Sequence, residues 1–152
     1  GMAVIHDIGN PGNIHPSNKQ DVGKRLALHA LKMVYGQDVI AQGPRYASMQ
    51  KEGNKITLSF SNTGTGLVAN NKYGYLNGFE IAGADKVFHW AKAEIRDGKI
   101  IVWSDAVKDP VAVHYGWADD NMEANLFNKE GLPAAPFRTD DWKGITEEAR
   151  FK

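Results

Sequence analysis

The chain has 152 residues, with 18 Lys+Arg balanced by 18 Asp+Glu, 16 Gly and no Cys. That length supports one domain with a sizeable core. The balanced charge excludes the basic field that nucleic acid or an anionic membrane would require. The missing cysteine excludes disulfides, thiol nucleophiles and thiolate metal sites.

The chain opens on Gly1-Met2, which reads as a cloning remnant, with no signal-peptide pattern and no apolar run near the ~20 residues of a membrane span. "MAVI" (Met2 to Ile5) is the one upstream stretch that could form a strand. "DIGNPGNIHPSNKQ" follows as a Gly/Asn/Pro-rich loop, and a helix is predicted from Ser17 to Tyr35. Pro16 suits its first turn, Ser17 and Gln20 have capping-box spacing, and Gly36 supplies the stop. Val22, Leu26, Ala27, Leu28, Ala30, Leu31, Met33 and Val34 cover more than the ~100° stripe of a surface helix. Burying each large member is worth roughly 1.5–3 kcal/mol, so the helix calls for a large apolar partner. Met2 to Ile5 is too short to be that partner.

Beyond Gly36 the period becomes alternating. "KITLSFS" (Lys55 to Ser61) sets Ile56, Leu58 and Phe60 against polar neighbours, the pattern of a half-buried strand, with "EGNK" before it as a hairpin turn. "RDGK" (Arg96 to Lys99) joins "VFHWAKAEI" to "IIVWS" through an Asp-Gly turn. "FEIA" (Phe79 to Ala82) and "VAVHYGW" (Val111 to Trp117) are further strands. Asn125 to Asp140, with Gly131, Pro133 and Pro136, reads as an ordered wrap over the sheets, and Thr146 to Phe151 as one helical turn. The expected fold is mainly β, an antiparallel sandwich. It divides into a loop–helix part, residues 1–36, and a β module, residues 37–152.

His15 is the sharpest chemical candidate: a general base at a helix N-terminus, where the dipole disfavours imidazolium, with Asp7 to orient its ring. The plainer alternative is a loop histidine bound to a carbonyl. His29 reads as a packing residue or a surface tip, and His89 and His114 as satisfied sheet histidines. His6 beside Asp7 lacks the three or four converging ligands of a zinc site. "DIGNPGN" and "DDNMEAN" do not match a calcium loop and read as solvated turns. No cofactor or metal is expected. Core packing explains Trp90 and Trp103 most simply, whereas Trp117 is placed to face a ligand or another domain. Ser17, Ser48, Ser59, Ser61 and Ser104 all lack the strained, Gly-flanked turn that exposes a nucleophile beside oxyanion-hole amides.

"DIGNPGNIHPSNKQDVGKRLALHAL", "QGPRYASM", "GFEIAGADKVFHWAKAEI" and "VAVHYGWADDNMEANLFNKEGLPAAPFRTD" together span nearly the whole chain. They resemble the late segment of the sialate O-acetylesterase family, serine esterases of the SGNH type. The resemblance implies that His15, in "IHP", is the catalytic histidine and Asp7, in "DIG", its acid. The wider SGNH pattern has Asp three residues before the His, where this chain has Gly12. It implies that residues 1–36 are the terminal loop and helix of an α/β hydrolase domain. The nucleophilic serine and oxyanion hole would lie upstream, and residues 37–152 would form a β-sandwich appendage. The intact enzyme would hydrolyse O-acetyl esters of sialic acids, in a periplasmic or secreted setting, and this chain alone would be inactive. The expected partners are that upstream domain and an acetylated glycan, with a possible homodimer through the helix Ser17 to Tyr35. The rival expectations are a non-catalytic accessory or carbohydrate-binding module and a purely structural one.

Overall fold

The computed structural model describes residues 1–15, 17–144 and 146–147. Pro16 and residues 148–151, where a helix start and a helical turn are expected, lie outside them. Residues 2–5, the upstream stretch that could form a strand, do not form one, and a short 3-10 turn, His6–Ile8, follows. Helix α1 (Lys19–Met33) starts later than the Ser17–Gln20 spacing suggests, because Asn18 is the cap. The Asn18 side chain accepts from the Asp21 N–H at 3.1 Å and donates to the Asp21 carboxylate at 2.8 Å, a reciprocal box of its own. Gly36 stands just past the helix at φ +65°, where an L side chain would be strained.

Ten strands follow. β1 (Arg45–Glu52) and β2 (Lys55–Ser61) form a hairpin, and β3 (Leu67–Ala69) and β4 (Phe79–Ala82) come next. β5 (Phe88–Trp90) and β6 (Lys92–Arg96) divide what the sequence presents as one strand. The chain changes sheets at Ala91: β5 pairs with β4, whereas β6 pairs with β7 (Lys99–Trp103). The Asp97-Gly98 turn between β6 and β7 has φ of +50° and +73°, as the Asp-Gly pair predicts. β8 (Ala112–Tyr115), β9 (Leu126–Asn128) and β10 (Phe137–Arg138) complete the set. The predicted wrap therefore supplies two short strands.

Two four-stranded antiparallel sheets result, in the orders β1-β2-β7-β6 and β10-β8-β4-β5, with β3-β9 as a smaller pair. Ile56, Leu58, Ile100 and Val102 of the first sheet meet Phe79, Ile81, Val113, Tyr115 and Phe137 of the second in one core. This is the expected mainly β, sandwich-like architecture. Tyr46 stacks on Phe137 across the sheets with ring centroids 4.9 Å apart. Tyr115 is fully buried, and its phenol oxygen accepts the Leu126 N–H at 2.8 Å, which ties β9 to the core.

The helix packs in the opposite sense. His29 is its buried residue, and His29 Nε2 donates to the Met2 carbonyl at 2.9 Å. Arg25, one turn earlier on the same face, donates to the Val4 carbonyl at 2.7 Å. These side chains satisfy the backbone of a segment that has no sheet partner. Leu26, Met33, Val34 and Tyr35 are exposed on the helix and its end. Among the described residues, no helix is long and apolar enough to cross a membrane.

Candidate functional site

Asp7 lies in the 3-10 turn, where its carboxylate meets Arg25 of α1. The guanidinium grips both oxygens, Nη1 to Oδ1 and Nη2 to Oδ2, each at 2.6 Å. Both side chains are largely buried, which strengthens this charge-assisted fork. Hydrogen bonding to Asp7 pushes the Arg25 guanidinium above its ordinary range.

His15 stands at the far end of the same loop. It is exposed, and its backbone N–H donates to the Asn13 side chain at 2.8 Å. Among the described residues, no hydrogen bond joins His15 to Asp7, so the structure places the two candidates on one loop but does not bring them together. Nor does any serine hydroxyl bond a histidine among those residues. Arg25 is the participant that the sequence reading overlooks. Its signal is the polar row Asp21, Arg25 and His29, spaced four residues apart through an otherwise apolar helix.

His6 fastens this loop to the β module. Its Nε2 bonds the Ala124 carbonyl at 3.2 Å. A carbonyl only accepts, so the proton sits on Nε2, and Nδ1 presents a buried lone pair with no partner among the described residues. Burial, the largest influence, pushes the His6 ring below the usual histidine range. The Ala124 bond and the Asp7 charge oppose that shift, and Arg25 adds to it.

Ala124 also forms part of the wall of a cleft of about 230 Å³. Gly78, Glu80, Trp90, Trp117 and Asp120 line it as well. Trp90, expected in the core, is 74% exposed: the sheet change at Ala91 turns it outward on an edge strand. Trp117 is also exposed, with the Arg138 guanidinium 5.5 Å from its ring centroid. Behind it, His114 and Asp140 form a buried pair, Nε2 to Oδ2 at 2.7 Å, with Phe88 stacked on the imidazole. All of β8 is buried: it lies between β10 and β4 within the sheet, and Phe88 and Asp140 cover His114, as expected for a satisfied sheet histidine. No group of three or more His, Cys, Asp or Glu among the described residues could hold a metal ion.

The crystal structure of a carbohydrate acetylesterase from Xanthomonas citri matches this fold with a TM-score of 0.90 and 48% sequence identity. The chain resembles one third of an acetylesterase. The match covers 93% of this chain and 33% of that protein. An identity this high over nearly the whole chain carries the relationship to an esterase beyond a likeness of fold. No family model matches the chain, and no curated protein matches it.

Proposed function

We propose that this chain is the C-terminal portion of a carbohydrate O-acetylesterase of the sialate O-acetylesterase type, acting together with an upstream SGNH hydrolase domain. The observation that carries this reading is the 48% identity to the acetylesterase, of which the chain spans a third. The bare apolar side of α1 supports it. Leu26, Met33 and Val34 form a surface that a monomeric protein rarely leaves uncovered, and a hydrolase sheet would cover it.

In the intact enzyme the upstream serine attacks the acetyl carbonyl while His15 takes its proton. His15 then gives that proton to the departing sugar oxygen, leaving an acetyl-serine. Water attacks this ester, His15 receives the water's proton and returns it to serine, and acetate leaves. Asp7 is the proposed acid. A carboxylate has about four lone-pair sites, so the fork from Arg25 leaves room for one ring N–H. Closure of residues 9–15 over Asp7 would bring His15 there, and Arg25 would hold the carboxylate in place.

Replacing the matching third of the Xanthomonas acetylesterase by this chain tests the assignment. The chimera should release acetate from acetylated glycans, including 9-O-acetylated sialic acid. His15→Ala should lower kcat by about 10³-fold or more, because triad residues act as a unit. The chain alone should hydrolyse p-nitrophenyl acetate no faster than background. An active chimera indifferent to His15→Ala would refute the assignment.

A further inference from the structure

The cleft between Trp90 and Trp117 has no part in that acyl transfer, and its chemistry is selective. Its aromatic walls come from two different places, the end of β5 and the loop after β8, and both indoles are exposed. Exposed tryptophan faces beside carboxylates suit a ligand with an apolar ring face and a polar rim. Glu80 and Glu123 line the cleft, and neither carboxylate has a hydrogen-bond or ion-pair partner among the described residues. Asp120 adds a third negative charge, with one oxygen accepting the Met122 N–H at 3.3 Å.

Charge narrows the occupant from both sides. Three carboxylates oppose an anionic ligand, since like charges meeting in a cleft repel. Arg138, a cation already 5.5 Å from the Trp117 ring centroid, offsets part of the negative field that would draw a cationic ligand. What remains is an uncharged ring rich in hydroxyl donors. The cleft is also built to hold its shape. Gly116 N–H donates to the Gly78 carbonyl at 2.8 Å, and the Asn121 amide donates to the Gly116 carbonyl at 3.0 Å. Gly78, at φ +82°, lies so close to Ala124 that an added Cβ would come 2.9 Å from its Cα. Its position is equally specific, because Ala124 lines the cleft while its carbonyl holds His6, the neighbour of Asp7.

The geometry points to a binding subsite for a neutral pyranose unit between Trp90 and Trp117, with Glu80, Asp120 and Glu123 accepting its hydroxyls. The inference deepens the proposed esterase function and rests on it for the presence of a glycan. The subsite would grip an uncharged sugar of the substrate beside the unit that carries the acetyl ester. It therefore recognises the chain of the glycan and not a sialic acid carboxylate.

Binding by this chain is measurable without any hydrolysis. Tryptophan fluorescence titrations would use cellohexaose, xylohexaose and mannohexaose as neutral probes, sialyllactose as the anionic one and choline as the cationic one. At least one neutral oligosaccharide should shift the emission with a Kd of about millimolar or tighter, as befits a small, partly open site. Trp90→Ala and Trp117→Ala should each weaken binding about tenfold or more, the size of one stacking contact. Trp103→Ala, on the other sheet, should leave it unchanged, and circular dichroism confirms that each variant folds. No neutral probe binding at 10 mM (roughly the limit of useful affinity) would overturn the subsite. Tighter binding of sialyllactose or of choline would overturn it as well. Loss of binding with an active chimera leaves the esterase reading standing, and binding with an inactive chimera leaves the subsite standing.

Discussion

Along β2 the apolar side chains Ile56 and Leu58 turn inward and have 1% and 0% exposure. Along α1 the buried residue is His29, while Leu26 is 51% exposed. The two elements were made from similar amounts of apolar sequence, yet they spend it in opposite directions. β2 finds its partner within the chain, in β7 beside it and in the second sheet across the core. α1 turns Arg25 and His29 to the first residues of the chain and leaves Leu26, Met33 and Val34 open. That contrast separates what this chain completes by itself from the face that the proposed hydrolase domain would cover.

The contrast is broken most strongly by truncating one leucine on each side of it. Leu58→Ala should destabilise the sandwich by ~2–5 kcal/mol, since the loss combines transfer and cavity costs. Leu26→Ala should change the stability of the chain by less than about 0.5 kcal/mol, like a surface substitution. Urea unfolding of both variants reads the difference. A Leu26→Ala cost near that of Leu58→Ala would mean that the helix face is covered after all.

Arg25 offers the next cut, because the helix is fastened by polar contacts and not by apolar ones. Arg25→Ala strands the largely buried Asp7 carboxylate and frees the Val4 carbonyl. Losing one partner of such a pair costs about 3 kcal/mol. Because local units open on their own, the cost should fall on the first part of the chain. Proteolysis of residues 1–15 should accelerate while the main melting transition hardly moves. If the melting temperature falls as far as it does for Leu58→Ala, the helix and sandwich form one cooperative unit.

The open face itself makes the third comparison. In the absence of a hydrolase sheet, a self-complementary pair of helices is the simplest way to cover it. The chain should dimerise at high concentration in light scattering, and Leu26→Glu should return it to monomer without unfolding it. A wild-type monomer at every concentration would leave the face to the hydrolase domain alone.

The same division governs how much was legible in the sequence. β2, β4 and the Asp97-Gly98 turn follow directly from alternation and turn chemistry, because their environment is local or within the sheet. The split of Phe88 to Arg96 into β5 and β6 was not visible, since the apolar pattern runs on while the chain changes sheets at Ala91. Trp90 was misplaced in the core for the same reason: its side depends on which sheet owns the strand. Asp7 and His15 are legible as an acid and a base on one loop, and the polar row marks Arg25, but only the fold decides that Arg25 takes both oxygens of Asp7. The helix cap slipped from Ser17 to Asn18 because several capping residues stand in a row, and geometry chooses among them.

The smallest expected effect lies at the seam between the two regions, where His6 bonds Ala124. Burial holds this imidazole below its ordinary range in the folded protein, with Asp7 pulling against that shift and Arg25 adding to it. In the unfolded chain it titrates near 6.5. At pH 7.5 it is neutral in both states, so the contact keeps its full value. As pH falls through about 6.5 the unfolded chain binds a proton first, and stability drops until the folded ring also titrates. Acidification from pH 7.5 to 5.5 should therefore loosen residues 1–15 from the β module. His6→Gln keeps an N–H that can reach the Ala124 carbonyl but does not titrate. It should remove part of the acid sensitivity of N-terminal proteolysis. Equal acid sensitivity in wild type and variant would show that His6 is not what couples the loop to the sandwich as pH changes.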